Sequence, residues 1–500
     1  MTVPAKSTVP AKSTGTPTPA QRLAELAAAV SAGGLAPELR DDMARRVVDF
    51  LGNSLAALRE KPAAVVTAVA SSWGGQPAAT PIGSAQRRPA PSAALVNGTL
   101  AHSLDFDDTH LPSVLHPSSA VIPAALAVAE ETGATGPAFL DAATVGVEIT
   151  CRLGMAGYDA EANNSVFFDR GQHATAICGT VGAAVAAGML RGLGADELTS
   201  AIGIACSMGS GVIEANRTGG TIKRVHCGWA AHSGVVAADL AAHGLTGPPT
   251  VLEGRFGFLQ AFCGDHVDIG QVTNDLGRHW ETPGIFFKPY PCNHFTHAGI
   301  DAALRLRASG VAPESIASLT LGLPAPVLHT IAEPPEEKRH PRSGYHAAFS
   351  GPYTVAAALL GGGSGGSSVG GSSGGGLGVF HDDFTDAAAS DPARLALAAR
   401  VNCVADEECT AIFPRQFPAV LTAGLADGRS VTERVVANRG GPGNPLSEAE
   451  LTTKFLLNAQ RSTSPEIASR ISEVAWDLRA GATAADVAAV LRTAAYIPPK

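Results

Sequence analysis

The segment NGTLAHSLDFDDTHLPSVLHPSSA, residues 97–120, is a strongly polar stretch of an otherwise apolar chain. Only 16% of the 500 residues are charged, yet this segment gathers three carboxylates and three imidazoles within fifteen positions. They are Asp105, Asp107, Asp108, His102, His110 and His116. Polar groups gathered so densely in apolar surroundings predict a functional site that the rest of the chain is built to present.

The apolar residues that lead into this segment predict a helix. If that helix continues for one or two more turns, His102, Asp105 and Thr109 share one face. Proline then interrupts the helix, so that His116 lies in a turn before a second apolar helix, which begins near Ser118. A carboxylate, a hydroxyl and an imidazole are therefore expected to converge at a helix end, although Asp and Ser beside proline are also common caps and turn formers.

The composition favours a protein of closely packed helices. Hydrophobic residues make up 45% of the chain and aromatic residues only 5%, so alanine and glycine carry much of the apolar content. A net charge of −9 without a Lys/Arg cluster argues against a nucleic-acid partner. No run reaches the ~18 uninterrupted apolar residues of a membrane span. The eight cysteines lack metal-type spacing and indicate reduced thiols, so a cytoplasmic protein is expected.

The periodicity of the apolar residues divides the chain into parts and predicts a mainly α fold. Residues 1–19 repeat VPAKST and are expected to be a disordered tail. Residues 20–275 predict the first part of a large all-helical domain, and residues 445–500 predict C-terminal helices that complete it, which makes this domain discontinuous. Residues 280–440 alternate in a way that predicts a smaller α+β domain. Its glycine-rich segment, 361–378, lacks a phosphate-loop ending and is interpreted as a flexible loop.

Three further segments place polar groups in apolar surroundings. The first begins a helix of small residues, the second lies between glycines and an apolar helix, and the third surrounds a Pro-Tyr-Pro turn. The residues concerned are His173; Lys223, Arg224 and His226; and Lys288, Asn293, His294 and His297. Lysines and backbone amides suit the carboxylates of a small polycarboxylic acid, and imidazoles suit proton transfer at carbon.

A series of motifs, in order along the chain, resembles the MmgE/PrpD family. The matching segments are VNGTLAHSLDFDDTH with HPSSAVIPA, GTVGAAVAAGMLRGLG, KRVHCGWAAHSG, EGRFGFLQAF, FKPYPCNHFTHAGIDAA, FSGPYTVAAALL and NPLSEAELTTKF. They extend from about residue 20 to the C-terminal helices. Together they are far more specific than any one motif alone.

The resemblance implies a large helical domain, a smaller α+β lid inserted before the final helices, a homodimer, and a site between the domains. It also implies lyase chemistry without a cofactor or a metal on a di- or tricarboxylic acid. The positions that match the family's active site are Asp105, Thr109, His116, His173 and Lys223. Lys288, Asn293 and His294 are expected to bind the substrate. In this hypothesis Lys223 holds a carboxylate, the two histidines transfer protons, and Asp105 with Thr109 orients substrate and imidazole.

One departure from the family bears on the substrate. The decarboxylase branch has a histidine where this chain has Asn293, with His294 one position later. This favours 2-methylcitrate dehydratase-like elimination of water, as in propionate metabolism. cis-Aconitate decarboxylation and iminodisuccinate epimerisation remain alternatives, as does a catalytically inactive member that only binds a carboxylate.

Two metal-dependent interpretations compete with this hypothesis. Asp107 and Asp108 resemble the start of the aspartate-rich motif of prenyl-diphosphate enzymes, but Leu111 stands where that motif needs another acid. The spacing His294-x-x-His297 suits zinc, but the sequence offers no third ligand nearby. Activity that requires a divalent cation would favour either interpretation.

Overall fold

The computed structural model describes residues 15–159, 161, 164–361 and 377–494. Most of the expected disordered tail and of the glycine-rich loop lies outside these residues. Among the described residues, no helix combines the length and apolarity that crossing a bilayer requires.

Helices dominate both halves of the chain. Those before residue 280 are α1 (Pro19–Gly33), α2 (Pro37–Ala56), α3 (Lys61–Ser72), α4 (Ala90–His102), α5 (Ser118–Thr132), α6 (Gly136–Ala156), α7 (Val166–Asp169), α8 (Ala174–Leu190), α9 (Ala195–Cys206), α10 (Ala215–Thr218), α11 (His226–Ala242), α12 (Phe258–Cys263) and α13 (Gly270–Thr273). Those after it are α14 (His297–Ala308), α15 (Leu328–Ile331), α16 (Pro335–Arg339), α17 (Gly344–Ala347), α18 (Gly351–Leu360), α19 (Asp386–Ala389), α20 (Pro392–Ala398), α21 (Glu407–Ile412), α22 (Glu448–Ala459), α23 (Pro465–Asp477) and α24 (Ala484–Thr493).

The strands lie mainly where β-branched residues alternate. A two-stranded pair, β1 (Tyr158–Asp159) and β2 (Asn164–Ser165), is antiparallel. The main sheet contains β3 (Ile316–Leu323), β4 (Val401–Ala405), β5 (Ala419–Leu425) and β6 (Ser430–Val435) in the order β4-β3-β5-β6. Strand β4 is parallel to β3, and the other pairings are antiparallel. The prediction of a mainly α protein with a smaller α+β part is confirmed.

Small residues allow the central helices to approach closely. A Cβ atom on Gly98 of α4 would lie 2.8 Å from the Gly228 backbone of α11, and one on Gly146 of α6 would lie 2.6 Å from the carbonyl oxygen of Gly182 in α8. No larger residue fits at such crossings without moving a helix. The close packing of helices that the alanine- and glycine-rich composition predicted is therefore present at these crossings.

The C-terminal helices return to the first helical region. Phe455 of α22 belongs to the same buried apolar core as Leu51 of α2 and Leu23 of α1. A second apolar core includes Leu321 of β3 and Leu421 of β5 and belongs to the α+β region. The helical domain is therefore discontinuous in sequence, because the α+β region is inserted before α22.

Candidate functional site

Helix α4 ends earlier than the sequence analysis predicted. Its last residue is His102, and Asp105 then adopts a left-handed backbone with φ of +52° that turns the chain away from the helix axis. The expected shared face of His102, Asp105 and Thr109 is therefore wrong. Instead, the Nδ1–H of His102 donates a hydrogen bond of 2.8 Å to Oδ2 of Asp107.

Two sets of contacts hold the loop that follows α4. The N–H of Thr109 donates to the carbonyl of Phe286, and the N–H of Phe286 donates to the carbonyl of Thr109, both at 2.8 Å. Oδ2 of Asp108 accepts hydrogen bonds from Arg46 at 3.0 Å and from Ser118 at 2.5 Å. These bonds join the loop to a segment near residue 288 and to the start of α5.

His116 lies in the predicted turn before α5, and its ring has a defined tautomer. Its Nδ1 lies 2.8 Å from the carbonyl oxygen of Asp108, and since a carbonyl can only accept, Nδ1 carries the proton. The hydroxyl of Thr109 lies 3.3 Å from the same nitrogen. The Nε2 atom is therefore the basic nitrogen, and it lies 3.8 Å from Oδ1 of Asp105.

The carboxylate of Asp105 lies between the two lysine ammonium groups of the site. The ammonium group of Lys288 lies 2.7 Å from the Asp105 carbonyl oxygen and 3.4 Å from its Oδ1, and that of Lys223 lies 3.9 Å from the same Oδ1. Burial alone would raise the pKa of Asp105, but the charges of the two lysines outweigh it and hold that pKa below its usual range. Lys288 is almost fully buried, whereas the Asp105 side chain is 31% exposed.

The electrostatics keep His116 neutral in the free protein. Burial, aided by the charge of Lys288, lowers the pKa of His116 to about 4, although Asp107 and Asp105 oppose this shift. Burial also lowers the pKa of Lys223, but Asp105 and Asp107 reverse that effect and leave it raised, so the ammonium remains charged. A neutral base thus lies beside two fixed cations.

His173 is buried at the N-terminus of α8 and contacts other imidazoles. Its ring centroid lies 5.3 Å from that of His102 and 5.1 Å from that of His226, and its Nδ1 lies 3.1 Å from Nδ1 of His226. Burial holds the pKa of His173 well below its usual range. The His102 ring also lies 5.3 Å from that of His116, so four imidazoles follow one another behind Asp105.

The two predicted substrate-binding residues at 293 and 294 are placed differently. The side-chain oxygen of Asn293 accepts a hydrogen bond from the N–H of Phe295 at 3.0 Å and caps the short turn before α14. His294 is buried, and its Nε2 lies 2.8 Å from Nδ2 of Asn438. Burial holds the pKa of His294 well below its usual range, and the charges of Lys288 and His116 also act on it. His294 is therefore close to the cluster, while Asn293 has a structural contact.

Sequence reasoning missed two contributors. Asp107 was singled out as polar but without a partner, and Tyr345 of α17 was not singled out at all. Tyr345 is 61% exposed, and after Asp105 and Asp107 it is among the groups that raise the pKa of Lys223. A single tyrosine in a polar segment carries no periodic signal that could have identified it.

The metal-dependent interpretations find little support in the geometry. Asp107 and Asp108 have separate partners, and His294 and His297 direct their Nε2 atoms to Asn438 and to the carbonyl of Cys292. Among the described residues, one group has ligand atoms close enough for a cation: Asp105, Asp107 and His116, within 4.8 Å of one another. The two ammonium groups beside Asp105 would repel a cation there.

These features define the class of protein: a helical body and an α+β region that bring two lysines, a carboxylate and neutral imidazoles together, an arrangement suited to acid–base chemistry on a small anion. The MmgE/PrpD N-terminal domain matches residues 21–269, and the MmgE/PrpD C-terminal domain matches residues 290–373 and 374–480. The chain belongs to the MmgE/PrpD family, as the motifs predicted.

Two curated relatives are similar over most of their length, and a third over about half of its length. The cis-aconitate decarboxylase-like protein oryM of Aspergillus oryzae is 29% identical over 80% of this chain and 81% of its own. The human cis-aconitate decarboxylase is 28% identical over 78% of this chain and 77% of its own. The cis-aconitate decarboxylase of Aspergillus terreus is 34% identical over 45% of this chain and 47% of its own.

Proposed function

We propose that this lyase acts on a small tricarboxylic acid, and that decarboxylation of cis-aconitate or a close analogue is its reaction. The observation that carries the proposal is the convergence of Lys223 and Lys288 on Asp105, beside the free Nε2 of His116. Two fixed cations suit a substrate with several carboxylates. The names of the relatives support decarboxylation over the dehydration that the sequence analysis favoured.

The chemistry requires one bond to break and one proton to arrive. Loss of CO₂ breaks the C–C bond between one carboxylate group and the adjacent carbon of the chain. The electron pair of that bond shifts along the neighbouring double bond to another carbon, which then takes a proton. His116 is neutral in the free protein, but a bound trianion adds negative charge beside it and raises its pKa. In the complex, His116 therefore takes up a proton and donates it from Nε2. Lys223 and Lys288 hold the carboxylates that remain.

Elimination of water from a 2-methylcitrate-type substrate is the second candidate. The neutral His116 with an unprotonated Nε2 favours it, because elimination begins with removal of a proton next to a carboxylate. The capping contact of Asn293 also favours it, since that side chain replaces the histidine of the decarboxylase branch.

The first experiment is ¹H NMR of the chelator-treated protein in D₂O with cis-aconitate, 2-methylcitrate, citrate and iminodisuccinate in separate samples. We expect itaconate from cis-aconitate. New vinylic signals from 2-methylcitrate or citrate would instead establish a dehydratase, and loss of the α-proton signal of iminodisuccinate would establish an epimerase. A loss of activity on chelation that a divalent cation restores would contradict metal-independent chemistry.

A matched pair of variants tests the assignment of the site. Lys223→Ala should lower kcat/KM by about 10²–10³-fold, because it removes a cation that faces the substrate. Arg224→Ala is the control, since Arg224 pairs with Glu60 at 2.9 Å instead. Equal activity in both variants would contradict the role of Lys223. Binding of cis-aconitate without turnover, measured by calorimetry, would identify an inactive binding protein.

A further inference from the structure

Asp107 is a buried carboxylate that the proposed reaction does not yet use. It is 3% exposed, and its Oδ2 accepts hydrogen bonds from Nδ1 of His102 at 2.8 Å and from the hydroxyl of Ser119 at 2.6 Å. Its Oδ1 has no hydrogen-bond partner among the described residues. That oxygen lies 3.8 Å from Nδ1 of His116.

A buried carboxylate oxygen without a partner is costly, so its position calls for a reason. Burial would raise the pKa of Asp107, but its interactions with the imidazoles of His102 and His116 outweigh burial and hold that pKa well below its usual range, so the group is an anion. His102 and Ser119 bind one oxygen only, which fixes the carboxylate and leaves the other oxygen facing the ring of His116.

Among the charged groups around His116, Asp107 is the anion best placed to stabilise a positive charge on its ring. Those that face it are Asp105, Asp107 and His102 from its own loop and α4, His173 from α8, and Lys288 and His294 from the segment before α14. Asp105 is committed to two lysines, and Asp108 has Oδ2 committed to Arg46 and Ser118. Lys288 opposes a positive charge on the His116 ring, and Asp107 offsets it.

We propose that Asp107 is a positioning residue that stabilises the imidazolium form of His116 during the reaction, and that His102 and Ser119 hold its carboxylate in place. The inference rests on the role of His116 in the proposed function. It applies to both candidate reactions, because His116 carries a positive charge before it donates a proton in decarboxylation and after it removes one in elimination. The arrangement corresponds in role to the carboxylate behind a catalytic histidine.

The test compares Asp107→Asn with Ser119→Ala. Asp107→Asn removes the charge and keeps the shape, so kcat should fall about 10²-fold with little change in KM. Ser119→Ala removes one hydrogen bond to the carboxylate and keeps its charge, so a much smaller loss is expected. Circular dichroism and thermal unfolding establish that both variants fold. Equal kcat values for the two variants would overturn the proposal.

A second measurement needs no substrate and so separates this inference from the proposed function. NMR titration of the protein labelled with ¹³C at histidine Cε1 follows the pKa of His116, whose signal is assigned by its loss in His116→Gln. In Asp107→Asn this pKa should fall from about 4 to a lower value, because the carboxylate oxygen that lies 3.8 Å from Nδ1 of His116 loses its charge. An unchanged pKa would mean a merely structural Asp107, even if the variant were inactive.

His102→Gln keeps the test open if Asp107→Asn does not fold. This variant keeps the carboxylate but removes the ring that donates to it, so kcat should fall about tenfold. Since His102 itself lowers the pKa of His116, its loss alone would raise that pKa, and a fall would instead show that the Asp107 carboxylate has moved away from the ring. Full activity together with an unchanged His116 pKa would overturn the role of His102 as an anchor.

Discussion

Two lysine–aspartate pairs flank Phe106, and they behave in opposite ways. Lys288 and Asp105 form the pair in the candidate site, where the carboxylate is 31% exposed. In the second pair, Nζ of Lys454 lies 2.6 Å from Oδ1 of Asp49, and both side chains are almost fully buried. The same Nζ lies 3.7 Å from the centroid of the Phe106 ring. The first pair is partly open to solvent, whereas the second is buried between α2 and α22.

The pKa shifts of the two carboxyl groups have opposite signs. Two lysines outweigh burial at Asp105 and lower its pKa. At Asp49 burial outweighs the single Lys454, the nearby charge of Asp107 adds to the effect, and the pKa is raised. The same residue types therefore form a partly exposed charged site or a buried structural pair, and the number of cations around the carboxylate decides the direction of its pKa shift.

Removal of Lys454 should give the largest effect on stability. Lys454→Met leaves the Asp49 carboxylate buried without its cation, with only the hydrogen bond from Asn53 remaining among the described residues, which should lower the free energy of unfolding by about 3–5 kcal/mol. Urea denaturation measures this change. The double variant Asp49→Asn with Lys454→Met should recover most of the loss, because it removes both charges of the pair together. A loss below about 1 kcal/mol in the single variant would show that Lys454 does not stabilise a buried Asp49 carboxylate.

Removal of the site lysine should instead affect activity. Lys288→Met should lower kcat/KM by about 10²–10³-fold, which corresponds to about 2.7–4 kcal/mol, because a cation beside the substrate is lost. Its effect on the free energy of unfolding should be smaller than that of Lys454→Met. Lys338→Met is the matched control, since Lys338 donates to the carbonyls of Thr330 and Phe349 in the α+β region. Similar kinetics in the two variants would place Lys288 outside the site.

The buried region around Phe106 and Lys454 contains a histidine, His381, that should resist protonation. The ring of His381 packs edge-on against Phe106 at 5.5 Å, and burial, with the charges of Arg461 and Lys454, lowers its pKa to about 3. Between pH 6.5 and 3 the unfolded chain therefore binds a proton that the folded chain excludes, so stability falls as the pH falls.

His381→Gln should make this dependence less steep, by up to about 1.4 kcal/mol per pH unit. Urea denaturation between pH 7 and pH 4 measures the slope for the wild type and the variant. His266→Gln is the control, because the His266 side chain is 62% exposed. An equal slope in wild type and His381→Gln would show that His381 binds a proton in the folded protein as readily as in the unfolded chain.

The smallest effect is expected at Asn293. Asn293→Ala removes the cap on the turn before α14 and should cost about 1 kcal/mol of stability, with kcat/KM little changed. Asn293→Asp keeps the capping oxygen and should retain the stability. A large rise in KM for Asn293→Ala would show that the amide binds substrate after all, as the sequence analysis predicted.

Local patterns predicted much of the fold. The alternating residues of SIASLTLGLP became β3, and the return of helical periodicity after Pro445 became the helices that pack on α1 and α2. Such features follow from the chain's own neighbours, because side-chain burial repeats with the period of the element. The motif order was equally informative, and the family assignment is confirmed.

The partners of single polar side chains could not be predicted in the same way. The helix was expected to continue to Thr109, but the left-handed conformation of Asp105 ends that pattern, and no residue in SLDFDD announces it as a glycine would. The buried pair of Asp49 and Lys454 was missed because each residue occurs in an ordinary amphipathic helix. The catalytic roles assigned to Asp105, Thr109, His116, His173 and Lys223 are predictions, and the variant Lys223→Ala tests the last of them.

The bridge between Thr109 and Phe286 has a consequence for how the protein acquires activity. The Lys288–Asp105 contact that it supports joins residues 183 positions apart. Closing so long a loop is slow compared with forming a helix, which needs only near neighbours. During refolding, helical circular dichroism should therefore recover before enzymatic activity does. The first appearance of turnover would then mark the docking of two distant segments rather than the formation of secondary structure.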